Sequence, residues 1–278
     1  MTDHVAERTI VITGAAGGFG RLVSQKAAAR GARIVGGDVD EAGLAETERL
    51  VTEAGGQMAT ARTDVTDLDE MKALVGLAVE RFGAVDVMVN NAGTMPLAFF
   101  SDHEAAMDAW NRCIDINVKG VLNGMVAAYG PMMAAGRGQV VNLSSIYGNF
   151  PTMGGGVYGA TKAAVDFLSE SLRQETRGTI KVTVVKPTGV PATGLSAGVV
   201  NPAAPIGIWG HYAATDLPRF EAMAAGQLPA AETDPDSVEY FVLDPGYIAE
   251  AILHAIDQPW GVSISSVTVR ATGDGYVL

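Results

Sequence analysis

Short runs of β-branched residues alternate with longer amphipathic stretches along most of this chain, and that alternation limits the fold more than any other feature. RTIVIT is followed by the helical pattern FGRLVSQKAAARG, then ARIVGGD, EAGLAETERLVTEAG, MKALVGLAVERFG and VDVMVNNAG, the last read as a fourth strand. Repeated strand-helix units of this kind build a parallel sheet. The strands are near-continuous Val, Ile and Met runs, which suits strands covered on both faces. The rhythm continues through a helical stretch around Met107 to Ala135, the strand GQVVNLSS, a helix from Tyr158 to Arg177 and the strand IKVTVVKP. With right-handed crossovers, the expected fold is α/β: one doubly wound parallel sheet, a single Rossmann domain over residues 1–278 with helices on both faces. Between about 190 and 245 the rhythm breaks at Pro191, Pro202, Pro205, Pro218, Pro229 and Pro235, and this stretch is read as a substrate lid. A helix from Gly246 to Asp257 and a last strand, SISSVTVRA, follow it.

The chain has 278 residues, 48% of them hydrophobic, enough for a full core. A net charge of −12 argues against nucleic acid and against anionic membrane surfaces as partners. The segment Met1 to Thr9 carries charges, and the apolar run after it, Ile10 to Ile12, is far short of a signal or a membrane span, so the expected location is the cytoplasm. Cys113 is the only cysteine, which leaves no intrachain disulfide and no thiolate cluster; a buried small hydrophobe is its expected role. His4, His103, His211 and His254 share no metal-ligand spacing, so no metal is expected. His211, in the lid, is also a candidate to touch substrate.

Directly after the first strand stand Thr13, Gly14, Ala15, Ala16, Gly17, Gly18, Phe19 and Gly20, leading into a helix. Backbone amides at such a helix start can hold a pyrophosphate, and glycines allow the close approach. A plain strand-to-helix turn would use the same residues. The second strand ends at Asp38, eighteen residues beyond Gly20, where a carboxylate can accept from an adenosine ribose and repel a 2′-phosphate. No Lys or Arg stands among Ala15, Ala16 and Gly17 or beside Asp38. The expected cofactor is therefore NAD, with NADPH as the alternative.

Tyr158 and Lys162 are four apart on an apolar-periodic helix, so phenol and ammonium share a face. A phenol is a poor base at neutral pH, and a nearby cation favours its ionised form. Lys162 is thus expected to bring Tyr158 towards working range. The same spacing also describes a buried Tyr with a snorkelling Lys, and the surroundings decide between them.

Those surroundings comprise the glycine turn, Asp64 with Val65, the run Asn90, Asn91, Ala92, Gly93, Asn117 in a long helix, and Ser144 with Ser145. Together they resemble the short-chain dehydrogenase/reductase family, in its compact NAD-dependent branch, from about Thr9 to Val190. The resemblance implies hydride transfer between NAD(H) and a secondary alcohol or ketone. It gives Tyr158 the part of general acid/base and Lys162 that of its partner on the nicotinamide ribose. Ser145, thirteen residues before the tyrosine, would fix the substrate oxygen, and Asn117 would hold a relay water. Gly14, Gly17, Gly18, Phe19 and Gly20 would form the pyrophosphate loop, Asp64 and Val65 the adenine contacts, and Asn91, Ala92 and Gly93 the wall beneath the adenosine. It also implies a homo-oligomer, tetramer or dimer, through the long helices after the fourth and fifth strands.

Two departures stand out. Gly14, Gly17 and Gly20 also fit the spacing of the family's extended branch, although the chain is short for it. After the sixth strand, Pro187 and Val190 match the family's cofactor loop, but Thr188 stands for a glycine and Ala192 for a threonine, which leaves Thr188 or Thr193 as the carboxamide contact or, equally, a rigid Pro-bracketed loop without cofactor contact. Met95, Pro96, Leu97, Phe150, Met153, Trp209, Tyr212, Phe220 and Met223 are pocket candidates and suggest an apolar substrate; packing of the lid or of a subunit interface would also use them. A non-catalytic dinucleotide-binding regulator is the alternative outside enzymes.

Overall fold

The structure, a computed structural model, describes residues 3–191 and 193–277; Ala192 lies outside the described residues. β1 (Thr9–Thr13) turns into α1 (Gly18–Ala29), followed by β2 (Arg33–Asp38), α2 (Glu41–Glu53), β3 (Gln57–Arg62) and α3 (Leu68–Phe82). β4 (Val87–Asn90) opens the second half, with α4 (His103–Ile114), a π-helical turn (Asp115–Gly120), α5 (Val121–Ala134), β5 (Gly138–Leu143), α6 (Gly156–Glu175) and β6 (Ile180–Pro187). Then come α7 (Ala213–Ala224), α8 (Ala230–Thr233), α9 (Pro245–Ile256) and β7 (Ser266–Val269).

All seven strands pair in parallel, in the order β3-β2-β1-β4-β5-β6-β7. Successive side chains of a strand point to opposite faces. Ile10 and Ile12 therefore join one core with α1, α2 and α9, while Val11 joins the other with α3, α5 and Val165 of α6. The strand order reverses between β1 and β4, and there the chain ends of the strands leave a crevice. The expected doubly wound sheet is thus present.

Local chemistry sets the element ends. The Asp67 carboxylate accepts from the Asp69 and Glu70 amides at the start of α3, and Gly83, at φ 81°, ends that helix in the left-handed region. β3 carries little apolar signal because it is an edge strand; Met58 and Ala59 are its buried residues. The final strand is shorter than the run SISSVTVRA suggests: only Ser266–Val269 joins the ladder, and its exposure alternates. The long helix around Met107 to Ala135 is continuous in direction but widens into the π-turn that carries Asn117, a kind of bulge that tends to sit at functional sites.

Candidate active site

At the start of α1 the first turn has no side-chain cap and no acidic residue. Gly14 and Gly18 take φ of +67° and +50°, which favours glycine. A Cβ on Gly20 would run into the Gly14 carbonyl, whereas one on Gly17 would meet nothing within 4 Å. Gly17 therefore faces open space beside free helix-start amides. Such a start attracts an anion. Asn91 holds this turn from behind: its Nδ2 donates to the Thr13 and Gly14 carbonyls at 2.9 and 3.1 Å.

A cleft of about 530 Å³ opens beside the turn, lined by Gly14, Asp38, Asp64, Val65, Ala92 and Gly93 among others. Asp38 is held in place, accepting from the amides of Ala16 and Asp40, both at 3.1 Å. The Asp64 carboxyl lies below its usual range because the Thr66 amide and hydroxyl donate to it. α4 and the π-turn that continues it add Asp108, Arg112 and Asp115 to the same cleft, contributions the motifs did not single out, although the spacing i, i+4, i+7 puts them on one helix face. Four carboxylates thus face one guanidinium. Phe19 and Val190 pack against the core on this side, and buried Pro187 ends β6.

The four expected catalytic residues converge at the neighbouring end of the crevice. Tyr158 is 3% exposed and Lys162 5%, both near the start of α6. Ser145 follows β5, with its Oγ accepting from the Tyr147 amide at 3.3 Å. Asn117 is clamped: its Oδ1 accepts from the Thr94 amide at 2.9 Å, and its Nδ2 donates to the Thr94 carbonyl at 2.9 Å and the Thr161 hydroxyl at 3.1 Å. Cys113 is buried, as expected, with its sulfur 3.3 Å from the same Nδ2.

The electrostatics differ from the simple expectation for Lys162. Burial pushes the Tyr158 phenol up, against a hydrogen bond from Ser145 that lowers it. The Lys162 ammonium sits 5.7 Å from the Tyr158 ring centre, donates to the Leu143 carbonyl at 2.8 Å, and is itself pushed down to about 8 by burial. The fold thus places the pair together, but desolvation dominates both groups.

Of the apolar candidates, Leu97 and Trp209 join Tyr158 in one buried cluster, with Met95 and Phe220 packed against it. Tyr147, Ile146 and Ile208 belong to this cluster as well and were not singled out by sequence. Met153 and Tyr212 are exposed, and Met153 lines a separate apolar groove with Phe100 and Trp110. His211 is exposed too, its ring tilted against that of Tyr212 at 4.0 Å. Thr188, one of the two candidates for the carboxamide, donates to Asp274 at 3.1 Å. Among the described residues, no cluster of His, Cys, Asp or Glu could hold a metal ion, and no helix is long and apolar enough to cross a membrane.

Comparison with known proteins agrees with this architecture. The short chain dehydrogenase family profile matches residues 8–202. An uncharacterized oxidoreductase from Staphylococcus saprophyticus is 31% identical over 269 residues, covering 96% of this chain and 97% of that protein. The structure of a short chain dehydrogenase/reductase from Burkholderia phymatum in complex with NAD superposes with a TM-score of 0.75 at 27% identity, over 96% of this chain and 90% of that one. A metagenomic short-chain oxidoreductase in complex with NADP gives a TM-score of 0.72 at 25% identity, over 97% and 99%. The chain belongs to the short-chain dehydrogenase family of oxidoreductases.

Proposed function

We propose that this protein is an NAD-dependent oxidoreductase that interconverts an apolar secondary alcohol and its ketone, with Tyr158 as general acid/base. The observation that carries this reading is the convergence of Ser145, Tyr158, Lys162 and Asn117 beside a glycine turn that fits a pyrophosphate. Gly14, Gly17, Gly18 and Gly20 would hold the diphosphate, Asp38 the ribose, Asp64, Val65, Ala92 and Gly93 the adenosine end, and Pro187 and Val190 the nicotinamide end. When bound, the dinucleotide supplies the hydride acceptor or donor.

The chain's own residues handle the proton. Ser145 and Tyr158 hydrogen-bond the substrate oxygen, and Tyr158 takes its proton during oxidation and returns one during reduction. Lys162, held by the Leu143 carbonyl, stays within reach of the phenol ring. The 190–245 stretch serves as lid, and its apolar residues exclude water. Tyr158→Phe should lower kcat about 10³-fold, the usual scale for acid/base help, while NADH affinity stays within about twofold. Full turnover in that variant would remove the assignment.

The acidic cleft favours NAD over NADP, because Asp38, Asp64, Asp108 and Asp115 would repel an added phosphate. An NADPH reading is favoured by Arg112 in the same cleft and by the NADP complex of the metagenomic short-chain oxidoreductase. Fluorescence titration with NADH and NADPH discriminates the two, and tighter NADPH binding would reverse the assignment. We also infer a homo-oligomer, dimer or tetramer: Met107, Leu122, Val126, Tyr129 and Phe167 on α4, α5 and α6 are exposed apolar residues. Sedimentation at micromolar concentration tests this, and a monomer would refute it.

A further inference from the structure

The segment after β7 does not run off along the surface. Arg270 and Asp274 form an ion pair, and the Asp274 carboxylate also accepts from the Thr188 hydroxyl at 3.1 Å. The Val277 amide donates to the Ile208 carbonyl at 3.0 Å, and Arg219 donates to the Gly273 carbonyl at 2.9 Å. Residues 270–277 are thereby strapped across the loop after β6 and the lid at once. Burial raises the Asp274 carboxyl despite these partners, as expected of an ion pair drawn under the lid.

The strap delivers one large side chain. Tyr276 packs against the cluster that contains Tyr158, Tyr147 and Trp209. Its ring lies 6.2 Å from that of Phe220 in an edge-on arrangement, and Phe220 stacks on Trp209 at 4.4 Å. Its hydroxyl occupies the space that a Cβ on Gly189 would need, so Gly189 is small because Tyr276 is there. On the other side, Tyr147 lies edge-on to Tyr158 at 5.4 Å. Tyr276 also acts on Tyr147, helping burial to raise its phenol. Aromatic rings from three distant parts of the chain therefore run from the reacting hydroxyl to the lid. Charged groups border these rings: the Lys162 ammonium lies 5.7 Å from the Tyr158 ring centre, and Asp216 and Asp274 act on the Tyr276 phenol. The Trp209 indole N–H is buried there without a well-formed hydrogen bond, close enough to the Tyr276 phenol to oppose its upward shift.

We propose that Tyr276 is a specificity-determining residue: with Tyr147 and Trp209 it forms an aromatic wall of the catalytic pocket that selects compact cyclic ketones or alcohols over bulkier ones. Flat rings pack edge-on or offset against ring walls. The wall is removable because it rides on a strap held by a few polar contacts and not on the sheet. The proposal rests on the oxidoreductase reading above, and the experiment separates the two.

The test compares the full-length wild type with Tyr276→Ala, Tyr276→Phe, Arg270→Ala and Tyr158→Phe on a monocyclic and a fused bicyclic ketone. The ratio of kcat/KM for the two ketones is the readout, and the same ratio is taken from their binding to the NADH-loaded protein by fluorescence quenching. Thermal melts and NADH titration check that each variant is folded. Tyr276→Ala should shift the ratio at least tenfold towards the bicyclic ketone, Arg270→Ala should shift it the same way by a smaller factor, and Tyr276→Phe should hold it within threefold. An unmoved ratio in folded Tyr276→Ala overturns the proposal, whether it is read from turnover or from binding. If Tyr158→Phe stays fully active while the ratio moves, the acid/base assignment fails and the wall stands.

Discussion

At the nucleotide end of the crevice, the decisive groups are backbone: helix-start amides at Gly17 and Gly18, positive φ at Gly14, and a close approach at Gly20 that no other residue permits. At the substrate end they are side chains, brought together from the turn after β5, α6, the 190–245 stretch and the segment after β7. Backbone geometry needs particular residues at particular spacings along a few positions. Side-chain packing needs only volume and shape, which many residues from many places can supply. One end of the site is therefore written locally and the other is written across the whole chain.

The sharpest way to break that contrast is at the glycines. Gly20→Ala forces a Cβ into the Gly14 carbonyl and against the Asn91 amide, so it should cost about 3 kcal/mol or more and much of the folded yield. Gly17→Ala meets nothing and should leave the melting temperature within about 1 °C, yet lower NADH affinity at least tenfold by filling the open face. Thermal melts and NADH titration on both variants measure this. Equal effects on stability would mean that the turn is merely structural.

A second measurement probes the other end. Phe220→Ala removes a ring lying between Trp209, Phe241 and Tyr276 and should destabilise by about 2 kcal/mol, less than full core burial would because Phe220 is only partly buried. The damage should stay on the substrate side: protease nicking within 190–245 should rise while NADH affinity holds within twofold. A parallel loss of NADH affinity would show that the lid and the nucleotide cleft are coupled.

This contrast also accounts for what could be read from the sequence. The strand-helix alternation was sufficient for the parallel sheet, because covered strands must be apolar on both sides. The edge strand Gln57–Arg62 is quieter, since it buries only Met58 and Ala59. Tyr158, Ser145 and Asp38 became candidates through their combination with the glycine turn, Asn117 and the run Asn90 to Gly93, not through spacing alone. Tyr276 has no such signal: its neighbour Gly189 is 87 residues away, and contacts between distant residues, among them Asp274 with Thr188 and Val277 with Ile208, bring them together. Asn91 shows the converse, a motif residue whose contacts are with the glycine turn itself.

A smaller effect is expected at the ribose. Asp38→Asn keeps an acceptor but removes the charge, so NADH affinity should fall about fivefold to tenfold, on the order of 1 kcal/mol for a hydrogen bond to a charged group. NADPH affinity should rise. The two oxygens of Asp38 accept from different amides, those of Ala16 and Asp40, so Asp38→Asn keeps an acceptor for only one of them where Asp38→Ala would lose both. Unchanged discrimination between the two dinucleotides would transfer cofactor choice to Asp64, Asp108 and Asp115.

The smallest effect tests what the catalytic end costs the fold. Lys162 ionises near 8 when folded, against about 10.5 for a free lysine. Between these values the unfolded chain keeps a proton that the folded chain has released, so stability should rise with pH from about 8 to 10.5; below 8 the burial cost is constant. That cost is about 3 kcal/mol, of which the hydrogen bond to the Leu143 carbonyl returns part, and removing it leaves that carbonyl short of a partner. Lys162→Met should therefore be inactive yet more stable at pH 7 by about 1 kcal/mol, roughly 3 °C in melting temperature. The gap should close and then reverse as pH approaches 10. Lys181 is also pushed down to about 8 and contributes a slope of the same sign, so the informative quantity is the difference between the two proteins' melting curves at each pH. A difference that does not vary with pH would mean that Lys162 ionises as a free lysine does, and that the ammonium is held there without cost.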